Sequence, residues 1–107
     1  MDRSIETEYG PIHAHVQGSG PAVLLAHGAH PDNTWQVWEH NVEAIAKAGF
    51  RVYALDLLGY GESGGEPQEH RRQAKALLKL MDAEGIETAL VGGVSWGGMV
   101  ALEAALT

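Results

Sequence analysis

The sequence contains no cysteine. That excludes a disulfide framework and thiol chemistry, and it fits a reducing compartment. Basic residues are scarce: 7 Lys and Arg stand against 14 Asp and Glu, for a net charge of −7 over 107 residues. No basic run is longer than Arg71-Arg72, so neither nucleic acid nor an anionic membrane surface is an expected partner. No apolar run is long enough to span a bilayer. The first residues, Met1 to Glu6, lack the apolar centre of a signal peptide, so the expected location is cytoplasmic. No Gly-Lys-Ser/Thr follows the glycine-rich stretch at 59–64, and its glycine spacing does not suit a dinucleotide turn. No cofactor is expected.

What is present reads as one small domain over residues 1–107 with a single core. Residues 3–9 alternate loosely and suggest an edge strand. Gly10-Pro11 marks a turn, and residues 12–17 alternate well, with Ile12, Ala14 and Val16 on one face and His13 and His15 on the other. The pair predicts an antiparallel hairpin. His-x-His can present two metal ligands from one strand face, but no third ligand is near in sequence. The two histidines are therefore read as a solvated face, and no metal site is expected.

Ala22–Ala26 is a continuous apolar run of the kind found in a central parallel strand covered on both faces. A helix is expected from an Asn33 N-cap with Gln36 three residues on. Trp35, Trp38, Val42 and Ile45 mark its buried face, and Gly49 its stop. Residues 51–56 form the next strand. Glu66-Pro67 suggests a helix start, with Ala74, Leu77, Leu78 and Met81 as its apolar stripe and Gly85 as its end. A final strand is expected over 88–94, followed by an apolar helix. Strands separated by helical patterns imply right-handed parallel crossovers.

The most informative stretch is Gly92-Gly93-Val94-Ser95-Trp96-Gly97-Gly98. It sits where the last strand meets the last helix. A serine on so sharp a turn is held clear of the sheet, and side chains at the two flanking glycines would collide. The helix beyond aims free backbone N–H groups at whatever the serine attacks. Upstream, His27-Gly28-Ala29 ends the apolar strand, and Asp56-x-x-Gly59-x-Gly61-x-Ser63 follows the strand at 51–56.

Together these segments resemble the N-terminal part of the α/β-hydrolase fold serine hydrolases. The resemblance implies an α/β architecture: a mostly parallel sheet with an N-terminal antiparallel hairpin and flanking helices. It implies Ser95 as nucleophile, with the N–H groups of Ala29 and Trp96 as the oxyanion hole. His27, Gly28, Asp56, Gly93 and Gly97 are then structural, with Asp56 and Ser63 bracing their loop by hydrogen bonds. A serine disfavours the dehalogenase and epoxide-hydrolase branches, where the elbow residue is an aspartate. An esterase or similar acyl hydrolase acting on a small acyl substrate is the expected activity.

In the family the acidic partner and catalytic histidine follow the serine in further strand–helix units, and neither has a counterpart here. All six histidines precede Ser95, and a serine hydroxyl is a poor nucleophile without a base. The nucleophile strand, central in the family sheet, would here be an exposed apolar edge. The chain is thus expected to self-associate or to need a complementing C-terminal segment. The alternative is a non-catalytic interaction module with the same half-fold.

Overall fold

The computed structural model describes residues Met1–Leu106. Strand β1 (Asp2–Thr7) and strand β2 (Gly10–Gln17) pair antiparallel, with Ile5 opposite Ile12. Strand β3 (Ala22–Ala26) is buried at every position. Strand β4 (Arg51–Leu55) pairs antiparallel with β2 and parallel with β3. Strand β5 (Ala89–Gly93) pairs parallel with the far side of β3, giving the sheet order β1-β2-β4-β3-β5. The expected hairpin and the expected parallel core are both present in one mixed sheet.

Both faces of the central strands are covered, which explains their lack of alternation. Helix α2 (His70–Glu84) and helix α3 (Trp96–Leu106) pack on one face, where Leu24, Leu55, Leu57, Leu77, Leu80 and Val100 form the larger core. Helix α1 (Glu39–Lys47) lies on the other, where Val42 meets Val23, Leu25, Val52 and Ala54.

The local signals shift at three places. The first expected helix is divided into a short 3-10 turn, Trp35–Trp38, and α1. Its cap is Thr34, whose hydroxyl accepts the Gln36 N–H, rather than Asn33. Both tryptophans are only half-buried, leaning on the smaller core. Helix α2 starts at His70 with Glu69 as N-cap, not at Pro67, because the Glu69 carboxylate accepts the Arg72 N–H. It ends as expected at Gly85, in the left-handed conformation.

The third shift concerns the histidines of β2, which do not form a solvated face. His13 is buried and His15 is half-buried, its ring stacked 4.2 Å from that of Trp35. The short turn at 35–38 covers this part of the sheet, which the alternation in β2 alone could not reveal.

Candidate active site

The backbone is most constrained where β5 runs into α3. Ser95 has φ of 56°, the one positive value at a non-glycine residue among those described. A serine held in this region costs about 1–3 kcal/mol, which the surrounding packing must offset. The packing is tight. A Cβ on Gly93 would lie 2.1 Å from the carbonyl oxygen of Gly97. One on Gly97 would lie 2.3 Å from the carbonyl oxygen of His27 and 2.4 Å from that of Ala26. Each obstacle is backbone, so neither position accepts a larger residue without displacement of β3 or α3. Ser95 is exposed at this turn. Its carbonyl accepts the Gly98 N–H at 2.9 Å, and that of Val94 accepts the Gly97 N–H at 2.9 Å, which starts the helix.

The His27-Gly28-Ala29 loop lies beside the turn. A Cβ on Gly28 would be 3.8 Å from Cβ of Ser95, and Val94 N–H donates to the Ala26 carbonyl at 3.2 Å. His27 is fully buried and held at both ring nitrogens: Nδ1–H donates to the Gly28 carbonyl at 2.7 Å, and Nε2 accepts the Leu57 N–H at 3.0 Å. These bonds set a neutral ring. Burial pushes its pKa below the usual histidine value, against the smaller opposing effects of the Gly28 carbonyl and the Asp56 charge. His27 braces the loop and offers no free nitrogen to Ser95.

The Asp56 loop completes the frame. Its Oδ1 accepts the Trp35 N–H at 2.7 Å, while Oδ2 accepts the Glu62 N–H at 3.0 Å and the His13 Nδ1–H at 2.8 Å. Ser63 Oγ donates to the Asp56 carbonyl and accepts the His13 N–H at 2.8 Å. Buried Gln73 joins α2 to the same loop, pairing with both the N–H and the carbonyl of Leu58 at 3.0 Å. At His13, burial opposes the charged form. The hydrogen bond and charge of Asp56, then those of Asp2, outweigh it and raise the pKa.

Tyr60 was not singled out in the sequence. Its hydroxyl donates to the Ala29 carbonyl at 2.9 Å, and its ring lies 6.1 Å from that of Trp96 and 4.7 Å from that of His27. It ties together the two segments expected to carry the oxyanion donors. The one sequence signal is its place between Gly59 and Gly61 in the loop beside the site.

Among the described residues, no histidine is hydrogen-bonded to Ser95. His30 is exposed, with Nδ1 accepting the Asp32 N–H at 3.1 Å. His70 lies at the start of α2, with Nε2 3.9 Å from Glu103 on α3.

A family model described as "alpha/beta hydrolase fold" matches residues 21–107. The chain belongs to the α/β hydrolase fold family. Among curated members it is similar to bifunctional epoxide hydrolase 2 of Sus scrofa, 38% identical over 99 residues, covering 89% of this chain and 18% of that protein. It is also similar to the 2-hydroxy-6-oxo-6-phenylhexa-2,4-dienoate hydrolase of Comamonas testosteroni, 36% identical over 99 residues, covering 89% of this chain and 35% of that protein. Among solved structures, an epoxide hydrolase from an endophytic Streptomyces superposes with a TM-score of 0.91 at 36% identity, covering 99% of this chain and 33% of that one. This α/β hydrolase chain therefore spans 18–35% of the length of these relatives. Epoxide hydrolases recur among them, although the elbow serine had pointed away from that branch.

Proposed function

We propose that Ser95 is the nucleophile of an acyl-transferring serine hydrolase, with esterase-type activity when a base and its acidic partner are supplied. The observation that carries this reading is the strained, exposed Ser95 between two glycines that backbone contacts prevent from being larger. Attack by Ser95 Oγ on an acyl carbon would pass the hydroxyl proton to the base. The resulting oxyanion would be held by the N–H groups of Ala29 and Trp96. Protonation of the leaving alkoxide releases the alcohol, and water then frees the acid from the acyl-serine.

The epoxide hydrolase relatives favour ring opening as an alternative substrate chemistry, but the serine argues against it. Serine attack on an epoxide carbon would leave an alkyl ether, which has no carbonyl for water to attack. A carboxylate nucleophile would leave an ester that water can cleave. The Comamonas relative, whose name describes a 6-oxo dienoate, keeps ketonic acyl groups in the proposed class.

A second reading is supported by the exposed apolar surface around β5 and α3. β5 is the sheet edge, and Leu90, Val94, Met99, Leu102 and Leu106 are all exposed there. Such an edge invites pairing. Under this reading the chain is a half-fold interaction module completed by a companion segment or a second copy.

The deciding experiment is hydrolysis of a short-chain aryl ester by the chain beside a Ser95→Ala control, with light scattering on both. Turnover lost in the control supports the nucleophile. Equal rates, together with self-association, support the interaction module.

A further inference from the structure

We propose that His13 Nε2 and the carboxylates of Asp2 and Glu62 bind one divalent transition-metal ion of the zinc type. The starting point is a buried nitrogen without a hydrogen-bond partner. His13 is 7% exposed, and its Nε2 makes no aligned hydrogen bond. Its other nitrogen is committed, since Nδ1–H donates to the buried Asp56 carboxylate at 2.8 Å. That bond leaves a lone pair on Nε2 of the neutral ring.

The lone pair faces negative oxygens. Asp2 Oδ2 lies 3.3 Å from Nε2 and Glu62 Oε2 lies 3.6 Å from it. The three ligand atoms all lie within 4.8 Å of one another. Held against two carboxylates, this nitrogen is stabilised by a proton, which the raised pKa favours, or by a metal cation that takes the proton's place. Zinc bonds of about 2.0–2.1 Å in a tetrahedron place neighbouring donors about 3.3–3.4 Å apart, close to the two distances seen.

The surroundings match a metal site in three further respects. Asp56 supplies the carboxylate behind the imidazole that orients metal-binding histidines and strengthens their donor nitrogen. Asp2 is itself positioned, its Oδ1 bonded to His15 Nδ1 at 2.9 Å. The neighbouring cation, Arg3, is turned away to Glu84 at 2.8 Å, so no guanidinium neutralises the cluster. A shallow pocket lined by Asp2, Arg3, Ser4, His13 and Glu62 opens to solvent, giving an entry path and room for a water ligand. An imidazole with two carboxylates suits zinc rather than magnesium or calcium.

The ion would fasten β1, β2 and the loop after β4 at one point. That loop reaches the Ala29 segment through Tyr60, so the role is structural, and it is independent of whether Ser95 turns over any substrate.

The test is calorimetric titration of ZnCl2 into the full chain at pH 7.5 with excess Mg2+, repeated for Glu62→Gln, Asp2→Asn and His40→Gln. Glu62 and His40 are exposed, so their variants retain the fold, which circular dichroism verifies. The expected result is one Zn2+ per chain, weakened about tenfold or more in E62Q and D2N and unchanged in H40Q. Zn2+ should also raise the melting temperature of the unaltered chain but not that of E62Q. Absence of one-to-one binding, or equal binding by the unaltered chain and both ligand variants, overturns the proposal.

Discussion

Replacing Gly97 by alanine separates two opposed physical effects by the sign of the outcome. Gly97 lies in the first turn of α3 and is not among the positive-φ glycines. On helix propensity alone, alanine should stabilise the chain by about 0.5–1 kcal/mol. Close packing predicts the reverse. The added Cβ would sit 2.3 and 2.4 Å from two carbonyl oxygens of the segment leaving β3, and 2.8 Å from a carbonyl carbon. These atoms are backbone, pinned by β3 pairing to β4 on one side and β5 on the other. Relief requires α3 to lift by about 1 Å, which loosens Val100 and Ala104 from the core. Overpacking of this kind costs about 1–3 kcal/mol, so after the propensity gain the net expectation is a loss of about 1 kcal/mol. For a chain of this size that is about 4–8 °C in melting temperature. Urea unfolding followed by circular dichroism measures it, with Gly92→Ala as comparison. There the new Cβ would meet only a leucine methyl at 3.2 Å, and a smaller change is expected. A Gly97→Ala chain as stable as the parent would refute the claim that α3 is seated on β3 at this distance.

Asp56→Asn should destabilise by about 2–3 kcal/mol in the same assay, since the carboxylate accepts three N–H donors and an amide turns one acceptor into a donor facing them. Tyr60→Phe should cost about 1 kcal/mol by removing the bond to the Ala29 carbonyl, and should lower any Ser95-dependent ester turnover more than it lowers melting temperature. The depressed pKa of buried His27 gives a pH dependence. The folded chain keeps it neutral while the unfolded chain protonates near pH 6.5. Its stabilisation is therefore present above pH 6.5 and declines as pH falls toward its folded value. An NMR titration should place His27 below 6.5, and it reads this group by itself, whereas the urea midpoint also carries the opposite contribution of His13, whose pKa is raised. Leu102→Glu, on the exposed face of α3, should reduce concentration-dependent association in sedimentation; an unchanged profile would remove α3 from any interface.

The parts of the fold legible in the sequence are those set by local chemistry. The unbroken apolar run at 22–26 marks a strand covered on both faces, and the flanking glycines of Ser95 mark a turn with no room for Cβ atoms. Gly85 likewise reads as a helix stop from composition alone. The misread parts depend on what arrives from elsewhere in the chain. His13 lies on the polar side of an alternating strand, and nothing within residues 12–17 announces that Asp56, 43 residues later, will bury and bind it. Folding likewise brings up the other two acidic neighbours, Asp2 and Glu62, that make His13 more than a surface residue. Tyr60 and Gln73 escaped notice because each acts through backbone atoms of a loop whose path no pattern in the sequence specifies. The Gly-x-Ser-x-Gly turn and the Asp56 loop thus differ in kind. The first is steric and written in five adjacent letters. The second is a hydrogen-bonded knot drawn from β2, the 3-10 turn, and the loop after β4, visible only once all three are folded together. Mutations in the knot should accordingly disturb the Ser95 environment without any residue touching the serine, through the bond from Tyr60 to Ala29.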